Sequence, residues 1–159
     1  MFEDALISPD HWRSLLAEDD LPRGPIEFAW GAGESAETQA GKPRILVVDD
    51  HKLIADTLAE ILCGVGFQAL PAYDGMEALD LASRFHPNWL LADVLMPRMN
   101  GVELAIAIRQ NFPATAILLF SGQAGISEIL EEGQRKGYEF ELIGKPIHPL
   151  RLVERLKQQ

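Results

Sequence analysis

The stretch L-L-A-D-V-L-M-P-R-M-N-G, Leu90 to Gly101, decides how the rest of the chain is read. Trp89, Leu90, Leu91 and Ala92 form an apolar run that delivers one carboxylate, Asp93, before the pattern breaks at Pro97 and restarts as a helix after Asn100-Gly101. This is a strand ending in an acid. In an open α/β sheet, reactive groups gather outside the carboxyl ends of the strands, so an Asp at that place is held out on a stiff support. Acids also end strands and cap turns for purely structural reasons. Asp93 therefore acquires a functional reading only from partners elsewhere in the chain.

Those partners lie on the flanking segments, which alternate regularly. Ile45 to Val48 is a continuous apolar run ending in Asp49 and Asp50, as expected of a central strand buried on both faces. A first helix follows, with Leu53, Ile54, Leu58, Ile61 and Leu62 at helical spacing and Gly64 and Gly66 closing it. Phe67 to Ala72 is the second strand. Asp74 to Phe85 is the second helix, with Met76, Leu79 and Ala82 expected inward and His86-Pro87 stopping it. Asn88 to Asp93 is the third strand. Asn100-Gly101 opens a third helix, which carries Val102, Ala105, Ile106 and Ile108 and runs to Asn111 and Pro113. Ala116 to Phe120 is strand four, and Ile126 to Lys136 is a fourth helix in which Gly133 costs about 1 kcal/mol relative to Ala. Phe140 to Ile143 is strand five. Pro149 starts a last helix with a Leu150, Val153 and Leu156 stripe.

Five strands alternating with five helices imply a doubly wound parallel sheet with helices on both faces, because right-handed crossovers place them there. The expected strand order is 2-1-3-4-5, flavodoxin-like. Strands one and three are then neighbours at the switch point, so Asp49, Asp50 and Asp93 converge on one crevice with Ser121, at the end of strand four, and Lys145, after strand five. Three carboxylates this close repel one another, and a hard divalent cation bound through oxygen ligands and retained waters relieves that; Mg²⁺ fits best.

Composition bounds the remainder. A chain of 159 residues with 47% hydrophobic content supports one domain with a proper core. No apolar run approaches bilayer length, and the start, M-F-E-D-A-L-I-S-P-D, has no leader character, so no membrane association and a cytoplasmic location are expected. A formal charge of −10 opposes direct DNA binding, whose affinity draws on Lys and Arg against phosphate. The single cysteine, Cys63, reads as a small core residue. Residues 1–43 hold nine acids and three bases, net −6, and divide the chain into an acidic N-terminal extension (1–43) and a compact domain (44–159). Within the extension Ser8-Pro9-Asp10 has the chemistry of a helix start, and Trp12, Leu15 and Leu16 share one face; Ile26, Phe28 and Trp30 alternate. That short helix serves equally to dock a partner, to join a second copy or to fold back on its own domain.

V-V-D-D, D-V-L-M-P-R-M-N-G, F-S-G and G-K-P, in that order, resemble the receiver domain of bacterial two-component response regulators over residues 44–157. Asp93 to Gly101 matches the family pattern D-x-x-M-P-x-M-[DN]-G at every specified position. The resemblance implies an Mg²⁺-dependent phosphoacceptor, Asp93, phosphorylated by a sensor histidine kinase or a histidine phosphotransfer protein, with output by contact with a downstream protein target. It implies metal binding by Asp49, Asp50, Asp93 and the backbone carbonyl of Leu95, phosphoryl contacts from Lys145 and Ser121, and a cis Lys145-Pro146 bond. It implies no enzyme beyond the domain's own phosphoryl transfer and aspartyl-phosphate hydrolysis. Met96 and Met99 read as packing residues, His51 as a solvated helix-start residue where the family often has another acid, and no histidine is assigned catalysis.

Two departures stand out. Gly122 follows the hydroxyl where the family usually has Ala, and with Gln123, Ala124 and Gly125 makes a glycine-containing loop expected to be mobile. Leu142 stands where the family often has Tyr or Phe, three residues before the lysine. Two other classes compete with the receiver reading. One is a pseudo-receiver that docks without taking phosphate; the presence of every key residue opposes it. The other is a haloacid-dehalogenase-type phosphatase, which needs D-x-D at the nucleophile, whereas Asp93 is followed by Val94 and Leu95.

Overall fold

The computed structural model describes residues 41–122 and 126–158. The expected helix near Trp12, the Ile26 to Trp30 alternation and the Gln123 to Gly125 segment lie outside the described residues. From the first strand onward the elements alternate: β1 (Arg44–Val48), α1 (Lys52–Gly64), β2 (Gln68–Ala72), α2 (Gly75–Phe85), β3 (Trp89–Asp93), α3 (Gly101–Asn111), β4 (Ala116–Ser121), α4 (Ser127–Arg135), β5 (Glu141–Gly144) and α5 (Pro149–Lys157). All pairings are parallel and the order is β2-β1-β3-β4-β5, as the alternation implies.

Side chains alternate across each strand and split the core into two layers. Leu46, Val48, Leu90, Ala92 and Leu119 face α2, α3 and α4, where they meet Ala78, Ala82, Val102, Leu104 and Ile108. Ile45, Val47, Trp89, Leu91, Leu118 and Phe120 face α1 and α5, where they meet Leu58, Ala59, Leu62, Leu152, Val153 and Leu156. Every residue of β3 is buried, which accounts for its unbroken apolar run up to Asp93.

Several expected side-chain placements on the helices fail. Met76 is 67% exposed, and the inward face of α2 is Gly75, Ala78 and Ala82. Leu53 and Ile54 face outward from α1, which buries Ala55, Leu58, Ala59 and Leu62 instead. Cys63 is an exposed residue rather than a core one, its Sγ lying 3.4 Å from the Ala69 amide that donates to it. On α5, Leu152 joins Val153 and Leu156 in the core, while Leu150 is only half-buried. Gly133 is buried in α4, where an added Cβ would come within 2.8 Å of Val102 Cγ1 on α3, so the glycine lets the two helices approach.

Element ends carry their own chemistry. Asp74 caps α2 by accepting from the Glu77 amide at 2.8 Å. Asn100 and Glu103 form a reciprocal capping box on α3, with Asn100 Oδ1 accepting from the Glu103 amide at 2.8 Å and Glu103 Oε2 accepting from the Asn100 amide at 2.9 Å. Gly66 closes the α1–β2 turn at φ +102, a conformation that favours glycine.

Candidate functional site

The site lies where the sheet reverses, at the carboxyl ends of β1, β3, β4 and β5. Asp49 follows β1 directly; its amide donates to the Ala72 carbonyl at 3.2 Å, and its side chain is fully buried. Asp93 ends β3 and is 6% exposed. The chain turns immediately after it: the Leu95 amide donates to Asp93 Oδ1 at 3.3 Å, and the Gly101 amide donates to the Val94 carbonyl at 2.9 Å. Gly101 sits against this turn so closely that a Cβ there would lie 2.8 Å from the Asp93 carbonyl carbon. The motif's glycine is thus a packing requirement of the loop that presents the acid.

Lys145 joins the acids. Its Nζ donates to Asp49 Oδ2 at 3.3 Å and to Asp93 Oδ2 at 3.3 Å, and stands 5.0 Å from the centroid of the Phe120 ring. Its backbone is tied to β4, since the Lys145 amide donates to the Ser121 carbonyl at 2.8 Å, and the Lys145-Pro146 bond is cis. Ser121 itself is buried at the end of β4. A Cβ on Gly122 would lie 3.1 Å from Lys145 Cβ, so the lysine stem packs close over this glycine and an added methyl would crowd it.

The electrostatics follow from this geometry. Burial raises the Asp93 carboxyl above its ordinary value of 3.8; the Lys145 ammonium opposes that rise, and the neighbouring Asp49 charge adds to it. With Asp49, Asp50 and Asp93 ionised, three carboxylates face one ammonium, a formal balance of −3 + 1 = −2. One divalent cation neutralises it. Asp50 supplies a second sign that a cation belongs here: its Oδ1 is buried with no hydrogen-bond partner among the described residues. An acceptor left in that state is costly unless an ion or water meets it. The donors are hard oxygens, which fits Mg²⁺.

The structure therefore brings Asp49, Asp93 and Lys145 into direct contact, places Asp50 beside Asp49, and ties Ser121 to Lys145 through the backbone. Sequence reasoning set His51 aside as solvated. Its ring is 70% exposed, yet Nδ1 stands 3.3 Å from both Asp49 Oδ1 and Asp50 Oδ1, and its amide donates to Asp49 Oδ1 at 2.9 Å. Asp49, Asp50 and His51 each offer a ligand atom within 4.8 Å of the others. The signal available was adjacency to Asp50 at a helix start, which does not reveal where a ring turns.

A doubly wound sheet with an acid, its lysine and an acidic pair at the switch point defines the receiver class of α/β signalling domain. The chain matches the family model described as response regulator receiver domain over residues 45–157, and it belongs to that family. It is 33% identical over 92 residues to protein PilG of Pseudomonas aeruginosa, covering 57% of this chain and 68% of PilG. It is 36% identical over 85 residues to the response regulator MprA of Mycobacterium avium, covering 54% of this chain but only 37% of MprA. Among solved structures, a CheY-like receiver domain protein from Methanospirillum hungatei superposes with a TM-score of 0.66 at 27% identity, covering 74% of this chain and 92% of that one. Residues 45–157 are thus a receiver domain of the two-component response regulators. No helix among the described residues is long and apolar enough to cross a membrane.

Proposed function

We propose that the chain is a phosphoacceptor: Asp93 takes a phosphoryl group, in an Mg²⁺-dependent reaction, from a histidine kinase or a histidine phosphotransfer protein in the cytoplasm, and passes the signal on by protein contact rather than by binding DNA. The observation that carries this reading is the Lys145 ammonium held 3.3 Å from both Asp49 and Asp93, on an acid that lies at the end of β3 in the full family motif. A carboxylate oxygen of Asp93 attacks phosphorus, the bond from phosphorus to the donor nitrogen breaks, and an aspartyl phosphate results. The bond between Lys145 and Asp93 is then replaced by one from the ammonium to a phosphoryl oxygen, and Ser121 donates to another. Asp49, Asp50, Asp93 and the Leu95 carbonyl hold the metal. When bound, Mg²⁺ neutralises charge that builds on the phosphoryl oxygens. Residues 44–159 form the receiver, and the acidic segment 1–43 supplies a contact to a partner or a second copy.

Incubation of the full chain with acetyl phosphate and Mg²⁺, followed by intact mass, tests the reading. One phosphoryl group is expected on the wild type and none on Asp93→Asn or in the presence of a chelator. An equal gain on Asp93→Asn would reject Asp93 as the acceptor.

A further inference from the structure

His51 is the group at this site that the phosphoacceptor reading leaves without a role. Its backbone is already fixed: it is the N-cap of α1 at φ −85 and ψ 101, its amide donates to Asp49 Oδ1, and its carbonyl accepts from the Ile54 and Ala55 amides. The ring is then placed with Nδ1 equidistant, at 3.3 Å, from Asp49 Oδ1 and Asp50 Oδ1. With the proton on Nδ1 the ring donates to Asp49 Oδ1; with the proton on Nε2 that contact is no hydrogen bond. The Asp50 Oδ1 that Nδ1 also approaches is buried and has no hydrogen-bond partner among the described residues. In the tautomer protonated on Nε2, Nδ1 turns a lone pair toward both carboxylates, and a cation between the three atoms converts that repulsion into coordination. Both nitrogen–oxygen separations suit one: with ligand bonds of about 2.0–2.2 Å, adjacent donors around a tetrahedral or octahedral ion stand roughly 3–3.5 Å apart.

We propose that His51, through Nδ1, is an additional protein ligand of the divalent cation held by Asp49 and Asp50, and that it shifts the site's preference from Mg²⁺ toward borderline first-row ions such as Co²⁺. The proposal rests on the metal-dependent reading above and adds the class of ion. Mg²⁺ keeps its waters and gains little from imidazole, whereas a nitrogen donor strengthens binding along the series from Mn²⁺ through Co²⁺ to the later metals. A neutral imidazole leaves the formal −2 of the pocket unchanged, so the effect is one of ligand softness rather than of charge.

The test is calorimetric titration of the chelator-stripped full chain with Mg²⁺ and with Co²⁺, ions of similar size, in wild type, His51→Ala and Asp50→Asn. Losing even a group that only supports a metal ligand typically costs 10–100-fold. His51→Ala should accordingly weaken Co²⁺ by about tenfold or more, and leave Mg²⁺ within about twofold, while Asp50→Asn weakens both. The visible d–d spectrum of bound Co²⁺ should change on loss of His51. The imidazole is exposed and makes no cap hydrogen bond, and an unchanged thermal unfolding midpoint of the metal-free Ala variant reports that the fold is kept. Equal losses for both ions, no loss for either, or Co²⁺ binding that survives Asp50→Asn would overturn the proposal. A wild-type protein that binds neither ion would overturn the metal-dependent reading instead.

Discussion

Replacing Gly101 by Ala puts one methyl group against the backbone that presents Asp93. A Cβ there would lie 2.8 Å from the Asp93 carbonyl carbon and 2.9 Å from Val94 Cα, with the carbonyl oxygen nearer still, whereas ordinary contact begins at 3.4 Å. The shortfall for carbon is 3.4 − 2.8 = 0.6 Å. No rotamer can relieve it, because the obstructing atoms are main chain at the end of β3, which is buried throughout. Either α3 backs away from the strand or the Asp93 turn shifts, and the Gly101–Val94 hydrogen bond of 2.9 Å is stretched in both cases. Overpacking in a closed site typically costs 1–3 kcal/mol, and backbone against backbone belongs at the upper end. The better helix propensity of Ala returns at most about 1 kcal/mol. A net loss of about 2 kcal/mol is expected, read as a lowered urea midpoint by far-ultraviolet circular dichroism, together with slower phosphorylation by acetyl phosphate. Gly64→Ala is the control: a Cβ there meets nothing within 4 Å at the end of α1, so the change should be neutral or mildly stabilising. Stability of Gly101→Ala within about 0.5 kcal/mol of wild type would show that the close approach is not a constraint.

Asp93→Asn should raise thermal stability at pH 7 in the presence of a chelator. An acid whose folded pKa lies above its unfolded value weakens the fold while ionised, and that penalty fades as pH falls through the folded pKa toward 3.8, so the gain must shrink on acidification; a variant less stable than wild type at pH 7 contradicts this. Gly133→Ala should destabilise despite its better propensity, because its Cβ would meet Val102 Cγ1 at 2.8 Å, and it should turn stabilising in a Val102→Ala background, a non-additivity that paired denaturant curves detect. A chain beginning at Lys42 should unfold cooperatively and accept phosphate as the full chain does; loss of a cooperative transition would make residues 1–41 part of the core.

What could be read in the sequence was whatever depends on order along the chain. Central strands buried on both faces leave continuous apolar runs, as at Ile45–Val48 and Trp89–Ala92, and the doubly wound topology then brings their terminal acids together without any knowledge of side-chain direction. Helix faces were harder, and the errors share one physical origin. A helix that lies close on a sheet needs small residues at the contact, so α2 presents Gly75, Ala78 and Ala82, and α1 presents Ala55 and Ala59 beside its leucines. The large apolar residues Met76, Leu53 and Ile54 are left outside. Reading size as inwardness turns α2 by one residue, which is 100° around the axis and enough to exchange a buried face for an exposed one. The Asn100/Glu103 capping box was available as N-x-x-E just ahead of an apolar run and marks the α3 start more firmly than Asn100-Gly101 alone. The contacts that give the site its chemistry had no such signal. Lys145 reaches Asp49 across 96 positions and Asp93 across 52, and Gly101 owes its identity to the backbone of Asp93 rather than to any turn of its own. His51 shows the limit most sharply, since its neighbours in sequence are also its neighbours in space, and only the rotation of one ring separates a solvated helix cap from a group facing two carboxylates.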